Sequence, residues 1–373
     1  MKIIADENIP FLKGVLEPFA DVIYMRGEGI TKRDILDADA MIIRTRTKCN
    51  RNLLDGTSVK FIATATIGSD HIDMNYCREN SVNVAVASGC NAWGVVQYVL
   101  AVINLLKPME TNTPDGLTAG IIGAGNVGER VAFILEQLGY RVLRCDPPVK
   151  NKISLGEFPP VLGPSPVDRT KLSTPNFYDI DEVFERSDII SVHLPLQADT
   201  NKYIGERFFG LIKNKPLFIN TSRGDVIDED SLFSNRKKID KLVLDVWSSE
   251  PVINKKLLSL TDIATPHIAG YSLEGKINAT VMSVRAIASY FGIEALKDFS
   301  INPPEFPSLP MEDRSHPGLT KILSDSFPVM KEDKKMREDP DSFEKQRSSY
   351  ILRREIPQEV YLNIAARIKQ YPY

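Results

Sequence analysis

Arg223, Glu250 and His267 are the residues of this chain whose types, taken together, can do chemistry. Arg223 stands in Asn220-Thr221-Ser222-Arg223-Gly224, Glu250 in Asp245-Val246-Trp247-Ser248-Ser249-Glu250-Pro251, and His267 in Thr265-Pro266-His267-Ile268-Ala269-Gly270-Tyr271. Each segment follows a strand-like apolar run, and ligands gather at the strand ends of open α/β sheets. A guanidinium can clamp a carboxylate with two parallel hydrogen bonds and polarise the oxygen on the neighbouring carbon. A histidine can take the proton of that hydroxyl. A carboxylate behind the ring orients it and stabilises its charged form. The set suits the oxidation of a 2-hydroxy acid. Singly, each residue has a plainer reading as a surface charge, a turn or a packing group.

Such an oxidation needs a hydride acceptor, and the chain offers a place for one. The segment Thr118-Ala119-Gly120-Ile121-Ile122-Gly123-Ala124-Gly125-Asn126-Val127-Gly128 runs from a strand-like stretch into a helix-like one, and Asp146 closes the next strand-like run. The first glycine permits a tight turn, the second lets the backbone approach a pyrophosphate, and the third lets helix pack on strand. The helix start would present N–H groups and positive potential to the phosphates. Gly123, Gly125, Asn126, Val127 and Gly128 are therefore the expected cofactor loop. Asp146 would accept from the adenosine ribose and repel a 2′-phosphate, which favours NAD over NADP. Arg144, two residues earlier, is a mild signal the other way.

The elements that must position these groups can be read from the pattern. Strands are expected at residues 2–5, 21–25, 40–44, 61–64 and 82–87, with helices between, which implies a parallel sheet covered on both faces. A long apolar helix is expected from 91 to 107. The rhythm then repeats, with strands at 119–122, 142–145, 189–193, 217–220, 242–246 and 263–265, and a helix from 272 to 291 follows. The fold class is α/β with two doubly wound parallel-sheet domains, one flavodoxin-like and one Rossmann-type, plus a small C-terminal domain. The boundaries are 1–92 with 268–292 for a discontinuous substrate-binding domain, 93–267 for the NAD-binding domain, and 293–373 for the last. Residues 147–175, rich in proline and poor in periodicity, read as a long surface loop.

Composition bounds the function. The 373 residues are 43% hydrophobic and 25% charged, ordinary for a soluble globular protein of two or three domains. A net charge of −3 gives no global basic field for nucleic acid or membrane. The longest apolar stretch, 93–106, is broken by Gln97 and Asn104 and is too short to span a bilayer. Cys49, Cys77, Cys90 and Cys145 lie far apart without metal-like pairing, so reduced thiols in a cytosolic protein and no metal are expected.

Taken together, the motifs Gly123-x-Gly125-x-x-Gly128, Ser222-Arg223-Gly224, Asp245-Val246-Trp247-x-x-Glu250-Pro251 and Pro266-His267 carry a resemblance. Over roughly residues 1–290 the chain resembles the D-2-hydroxy-acid dehydrogenase family of NAD enzymes. The resemblance implies Arg223 as substrate clamp, Glu250 as partner acid and His267 as proton donor and acceptor. Residues 3–10, 63–73, 89–92 and 267–276, with the tail from Phe343 to Glu355, resemble a branch of that family acting on a phosphorylated hydroxy acid. That closer resemblance implies substrate contacts at Thr45, Thr66 and Tyr271, cofactor contacts at Asp146, Leu194, Asp245 and Gly270, and a homodimer formed through the C-terminal domain.

Arg44-Thr45-Arg46-Thr47-Lys48, after the third strand, supplies partners suited to a phosphate dianion, with Arg44 and Arg46 foremost. The alternative is a basic surface loop. Ser88 and Gln97 stand where members of the family often carry proline and glutamate. Neighbouring activities on 3-phosphoglycerate, glyoxylate or hydroxypyruvate remain open, as does a catalytically silent NAD-sensing scaffold. His193 is expected to be structural, and His316 solvated.

Overall fold

The computed structural model describes residues 1–107, 116–154, 176–305 and 317–370. The chain divides into two compact units, Met1–Asn91 with Leu273–Glu305, and Ala92–Ser272 with Phe306–Tyr373.

The first unit is built on five parallel strands: β1 (Lys2–Asp6), β2 (Asp21–Met25), β3 (Ala40–Ile43), β4 (Phe61–Thr64) and β5 (Asn83–Val86). Their order is β2-β1-β3-β4-β5, so the winding reverses between β1 and β3. Side chains of successive strand residues point to opposite faces. Ile3, Ala5, Ala40, Ile42 and Ala63 therefore join one core with Val284, Ile287 and Ala288 of the helix Leu273–Phe291. Ile4, Met41, Ile43 and Ile62 join another with Leu53, Leu54, Tyr76 and Cys77. Apolar residues on both faces are what a parallel sheet covered by helices demands.

The second unit has six parallel strands: β6 (Thr118–Ile122), β7 (Arg141–Cys145), β8 (Ile189–Val192), β9 (Leu217–Asn220), β10 (Lys241–Leu244) and β11 (Ile263–Ala264), in the order β11-β10-β9-β8-β6-β7. Phe177 adds a single parallel bridge to Arg144. The reversal lies between β6 and β8, which is where a doubly wound sheet opens a crevice for a dinucleotide. The helix Ala92–Leu106 is buried almost all round in this unit's core, which explains its unbroken apolarity.

Residues 147–175 do not begin as a loop. Pro147–Ser154 is a helix, because proline is tolerated in a helix's first turn, where its missing N–H would have no intrahelical partner. The rest of that expected loop, and His316, lie outside the described residues. All four cysteines are buried free thiols. Among the described residues, no helix is long and apolar enough to cross a membrane.

The C-terminal helices Pro317–Ser326, Val329–Glu338, Phe343–Ser348 and Gln358–Gln370 pack into the second unit. Leu323, Phe327, Val329 and Tyr361 enter one side of its core, and Met336 and Phe343 the other. Buried Asp333 accepts the N–H of Ala264 on the edge strand β11 (2.8 Å). Arg337 pairs with Asp333 (2.9 Å) and donates to the carbonyls of Leu258 and Thr261. Residues 293–305 stay with the first unit, where Leu296 is buried.

Candidate active site

Gly123 takes a φ of +91°, and a Cβ there would lie 2.7 Å from the carbonyl oxygen of His193. A Cβ on Gly128 would lie 1.8 Å from the carbonyl oxygen of Gly123. These two glycines are fixed by the turn and by the packing of helix Gly128–Gln137 on β6. Gly125 differs: a Cβ there meets nothing within 4 Å. Open space over one glycine, between two that the protein itself crowds, fits a group lying against the backbone at that point. Asp146 follows β7, and its two oxygens accept from the N–H groups of Ala124 (2.8 Å) and Val149 (3.0 Å). Each carboxylate oxygen retains acceptor capacity for a ribose hydroxyl. Leu194 stands past β8, its backbone nitrogen 3.2 Å from a Cβ placed on Gly123.

Arg144 is not a phosphate reader. It is 3% exposed and forks onto Glu129 (3.1 and 3.3 Å) and Glu136 (2.5 and 2.8 Å). Its guanidinium therefore belongs to the interior, and the sequence signal for NADP disappears.

After β9 the chain turns on Asn220. Its Oδ1 accepts from Ser222 N (3.0 Å) and Ser222 Oγ (2.7 Å), while its amide donates to the carbonyl of Arg223 (3.0 Å). This places Arg223 in extended backbone, with one terminal nitrogen on the carbonyl of Ser222 (2.8 Å). Gly224 allows no side chain, because a Cβ would lie 1.9 Å from the carbonyl carbon of Trp247. The Ser-Arg-Gly motif thus packs its backbone directly onto the segment that carries Glu250.

Glu250 and His267 form a dyad. Glu250 Oε2 lies 2.8 Å from His267 Nδ1, and Oε1 accepts the N–H of Trp247 (3.0 Å). Burial alone would push the Glu250 carboxyl up, but His267, the Trp247 N–H and the Arg347 charge together hold it below the usual range. With Nδ1–H donating to the carboxylate, the lone pair of Nε2 is the one available to a substrate hydroxyl. The His267 side chain is 24% exposed.

His267 has a φ of +57°, a left-handed conformation costing about 1–2 kcal/mol for a residue with a side chain. Its neighbours hold it there. The N–H of His267 donates to the carbonyl of Asp245 (2.7 Å). The buried Asp245 carboxylate accepts from Ile268 N (2.8 Å), Ala269 N (2.9 Å) and Thr265 Oγ1 (2.7 Å). Both Asp245 oxygens are thus engaged by the histidine loop, a role its motif did not announce. Burial raises the Asp245 carboxyl, opposed by His267 and these donors.

Sequence reasoning missed the other half of this support, which comes from the tail. Arg353 is 7% exposed and donates to the carbonyls of Ile268 (3.0 Å), Tyr271 (3.1 Å), Gly94 (2.8 Å) and Ala269. Ser272 donates to buried Glu355 (2.6 Å) and bridges Arg353 as a parallel pair. The charged residues Arg353 and Glu355 are thus buried structure. Arg347 lies over the Tyr271 ring, 5.7 Å from its centre.

His193 bonds Ser191 through Nε2 (2.9 Å), and burial pushes it down to about 3. So lowered, it is a weak base, poorly matched to proton transfer near pH 7.

The remaining candidates belong to the first unit. Arg44 follows β3 and donates to Asp6 at the end of β1 (3.3 Å) and to the carbonyl of Asn8 (3.0 Å), at that sheet's own reversal. Thr45 and Arg46 are exposed beside it. Thr66, past β4, shares a hydrogen bond with Thr64 (2.7 Å), which also meets His71 (3.1 Å). Arg223, Glu250, His267, Gly270 and Tyr271 are thus assembled in the second unit, and Arg44, Thr45, Arg46 and Thr66 at strand ends of the first.

Residues 105–269 match the family model described as the D-isomer specific 2-hydroxyacid dehydrogenase, NAD binding domain. The chain is 40% identical to an erythronate-4-phosphate dehydrogenase of Bacteroides thetaiotaomicron, over 95% of this chain and 97% of that one. It is 34% identical to the enzyme of that name from Shigella flexneri, over 95% of this chain and 92% of that one. Among solved structures, it resembles NAD+-bound 3-phosphoglycerate dehydrogenase of Entamoeba histolytica, at 25% identity and a TM-score of 0.62, covering 81% of this chain and 99% of that one. Its fold is also that of Aquifex aeolicus D-lactate dehydrogenase complexed with NAD and lactic acid, at 24% identity and a TM-score of 0.63, covering 82% of this chain and all of the other.

Proposed function

We infer the reaction from one premise, that the chain belongs to the D-isomer-specific 2-hydroxyacid dehydrogenase family: it oxidises 4-phospho-D-erythronate to the 2-oxo acid, (R)-3-hydroxy-2-oxo-4-phosphooxybutanoate, in vitamin B6 synthesis. The observation that carries the chemistry is the Glu250–His267 pair at 2.8 Å, set beside the Ser222-Arg223-Gly224 turn.

Gly123, Gly125, Asn126, Val127, Gly128 and Asp146 would hold NAD, with Leu194 and Gly270 alongside. When bound, NAD supplies the hydride acceptor. Arg223 clamps the C1 carboxylate and polarises the C2 oxygen. His267 Nε2 takes the C2 hydroxyl proton, and the ring becomes an imidazolium balanced by the Glu250 carboxylate. In the reverse direction the same nitrogen returns the proton. Thr45, Thr66 and Tyr271 contact the substrate, and Arg44 and Arg46 receive its phosphate. The enzyme works as a cytoplasmic homodimer joined through its C-terminal helices.

The test is turnover of 4-phospho-D-erythronate beside unphosphorylated erythronate and 3-phosphoglycerate, with NAD and a 2-oxo acid acceptor present and product detected directly. Strong preference for 4-phosphoerythronate supports the reading. Preference for 3-phosphoglycerate, or NAD binding with no turnover of any of the three, overturns it.

A further inference from the structure

Arg347 hydrogen-bonds Tyr271, yet its buried Nε–H is left without an acceptor among the described residues. It sits on the helix Phe343–Ser348, whose Phe343 is fully buried in the same core as Trp247 and Ile253. That anchors the helix to the segment carrying Glu250. From there the guanidinium reaches the face of Tyr271, four residues beyond His267. Its carboxylate contact is long, 4.0 Å to Glu344. Its Nε–H is buried and has no acceptor. Burial alone would lower its pKa, but Tyr271, Glu250 and Glu344 more than reverse this, so the group is a cation.

Arg353, six residues on, makes the contrast. It too leaves its Nε–H unpaired, but its terminal nitrogens serve four backbone carbonyls, which makes it structural. Arg347 serves no backbone carbonyl among the described residues. A buried donor without an acceptor is destabilising and calls for an explanation, and beside the Glu250–His267 pair a bound ligand is one. The missing acceptor would be anionic, because the donor carries full positive charge.

We propose that Arg347 is a specificity-determining residue of this site, receiving the phosphate of the substrate in the same subunit that carries His267. This rests on the substrate reading given above. A phosphate dianion offers three acceptor oxygens, any of which can take the Nε–H of Arg347. The tail then does more than hold the loop: it makes the site selective for a phosphorylated acid.

The experiment compares kcat/KM for 4-phospho-D-erythronate and for unphosphorylated erythronate in the full-length NAD-loaded enzyme, as wild type, Arg347→Met and Arg347→Lys. Melting temperature and NAD affinity are measured alongside. The expected result is that Arg347→Met lowers the phosphorylated-to-unphosphorylated ratio by about 10- to 100-fold through KM. Arg347→Lys should recover part of it, because an ammonium supplies charge without the fork. Equal loss on both substrates would show that Arg347 only positions Glu250 or Tyr271 and would overturn the proposal. An unchanged ratio in both variants overturns it too. If wild type turns over neither acid, the functional reading fails and this assignment with it. If wild type prefers the phosphorylated acid and Arg347→Met keeps that preference, only the assignment of Arg347 fails. Should Arg347→Met not fold, Arg347→Lys alone decides: a ratio equal to wild type refutes a bidentate role.

Discussion

Replacing Glu250 by glutamine removes one charge and one acceptor, and the two losses are separable in the structure. Both neighbours of the carboxylate are donors: Trp247 N–H toward Oε1 at 3.0 Å, and His267 Nδ1–H toward Oε2 at 2.8 Å. A carboxylate satisfies both, whereas an amide has one acceptor and one donor end. If the amide oxygen faces Trp247, its NH2 meets Nδ1 and drives the ring proton onto Nε2, the nitrogen that must accept. If the oxygen faces His267, the NH2 opposes the Trp247 N–H in a buried place. Either arrangement is frustrated. The charge term adds to this. With charge centres about 4 Å apart and an effective dielectric near 20, the carboxylate stabilises the imidazolium by about 4 kcal/mol. That corresponds to roughly a 10³-fold fall in kcat.

The assay is kcat for 4-phosphoerythronate in Glu250→Gln, with NAD affinity and melting temperature as controls. NAD affinity should stay within about threefold, because the glycine loop does not touch Glu250. Because the Glu250 carboxyl is held below its ordinary value, its charged form persists as pH falls through the unfolded value and is lost only below the folded one. Any loss of wild-type activity between pH 7 and 5 thus belongs to another group. A fall in kcat of less than tenfold in Glu250→Gln would refute this account of the dyad.

Gly125→Ala should leave stability unchanged, since its Cβ meets nothing within 4 Å, yet weaken NAD binding about tenfold or more; Gly128→Ala, 1.8 Å from the Gly123 carbonyl oxygen, should cost about 1–3 kcal/mol of stability. Equal melting temperatures for the two variants would show that the glycines have no distinct roles. Arg144→Met strands Glu129 and Glu136 without their cation and should destabilise by about 3–5 kcal/mol while leaving the preference for NAD over NADP unchanged. A shift in coenzyme preference at constant stability would contradict that. Because burial lowers His193 from 6.5 to about 3, the unfolded chain binds more protons between those values, so stability falls as pH drops from 6.5. The slope is at most about 1.4 kcal/mol per pH unit, an upper bound because the residue is only partly buried. His193→Gln should remove this contribution, measured by denaturant unfolding at pH 7 and pH 5; an unaltered pH dependence would refute it.

Why some of this was legible in the sequence, and some not, follows from where each signal resides. Strands such as Ala40–Ile43 and Leu217–Asn220 are buried on both faces, so their apolar runs announce them. Gly123 and Gly128 are legible because a turn and a helix–strand contact each exclude a side chain at a fixed spacing. Arg144 was ambiguous because its partners, 15 and 8 residues earlier, lie on a helix whose orientation the spacing alone does not give. Nothing in Asp-Val-Trp indicates that the Asp245 carboxylate turns toward amides 23 and 24 residues later. Arg353 was hidden most thoroughly. Its partners are backbone carbonyls, which have no residue type and so leave no trace in a sequence.

Asp245 and Arg353 belong together in one physical account. The loop carrying His267 is irregular and buried at Ile268 and Ala269, so its peptide groups need partners that no strand or helix supplies. Asp245 takes the N–H groups of Ile268 and Ala269, and Arg353 takes the carbonyls of the same two residues. A carboxylate and a guanidinium therefore grip one stretch of backbone from opposite sides, each polarising the peptides the other holds. Neither charge could be buried cheaply alone, and each is satisfied by hydrogen bonds that also fix the loop. This over-determination is what a left-handed histidine requires, since the strain persists only where the surroundings leave no alternative. The nitrogen Nε2 then has a fixed direction without any contact to Nε2 itself. The tail, unrelated in pattern to either sheet, is in this sense part of the catalytic apparatus: remove Arg353 and the histidine keeps its acid partner but loses the backbone geometry that aims it.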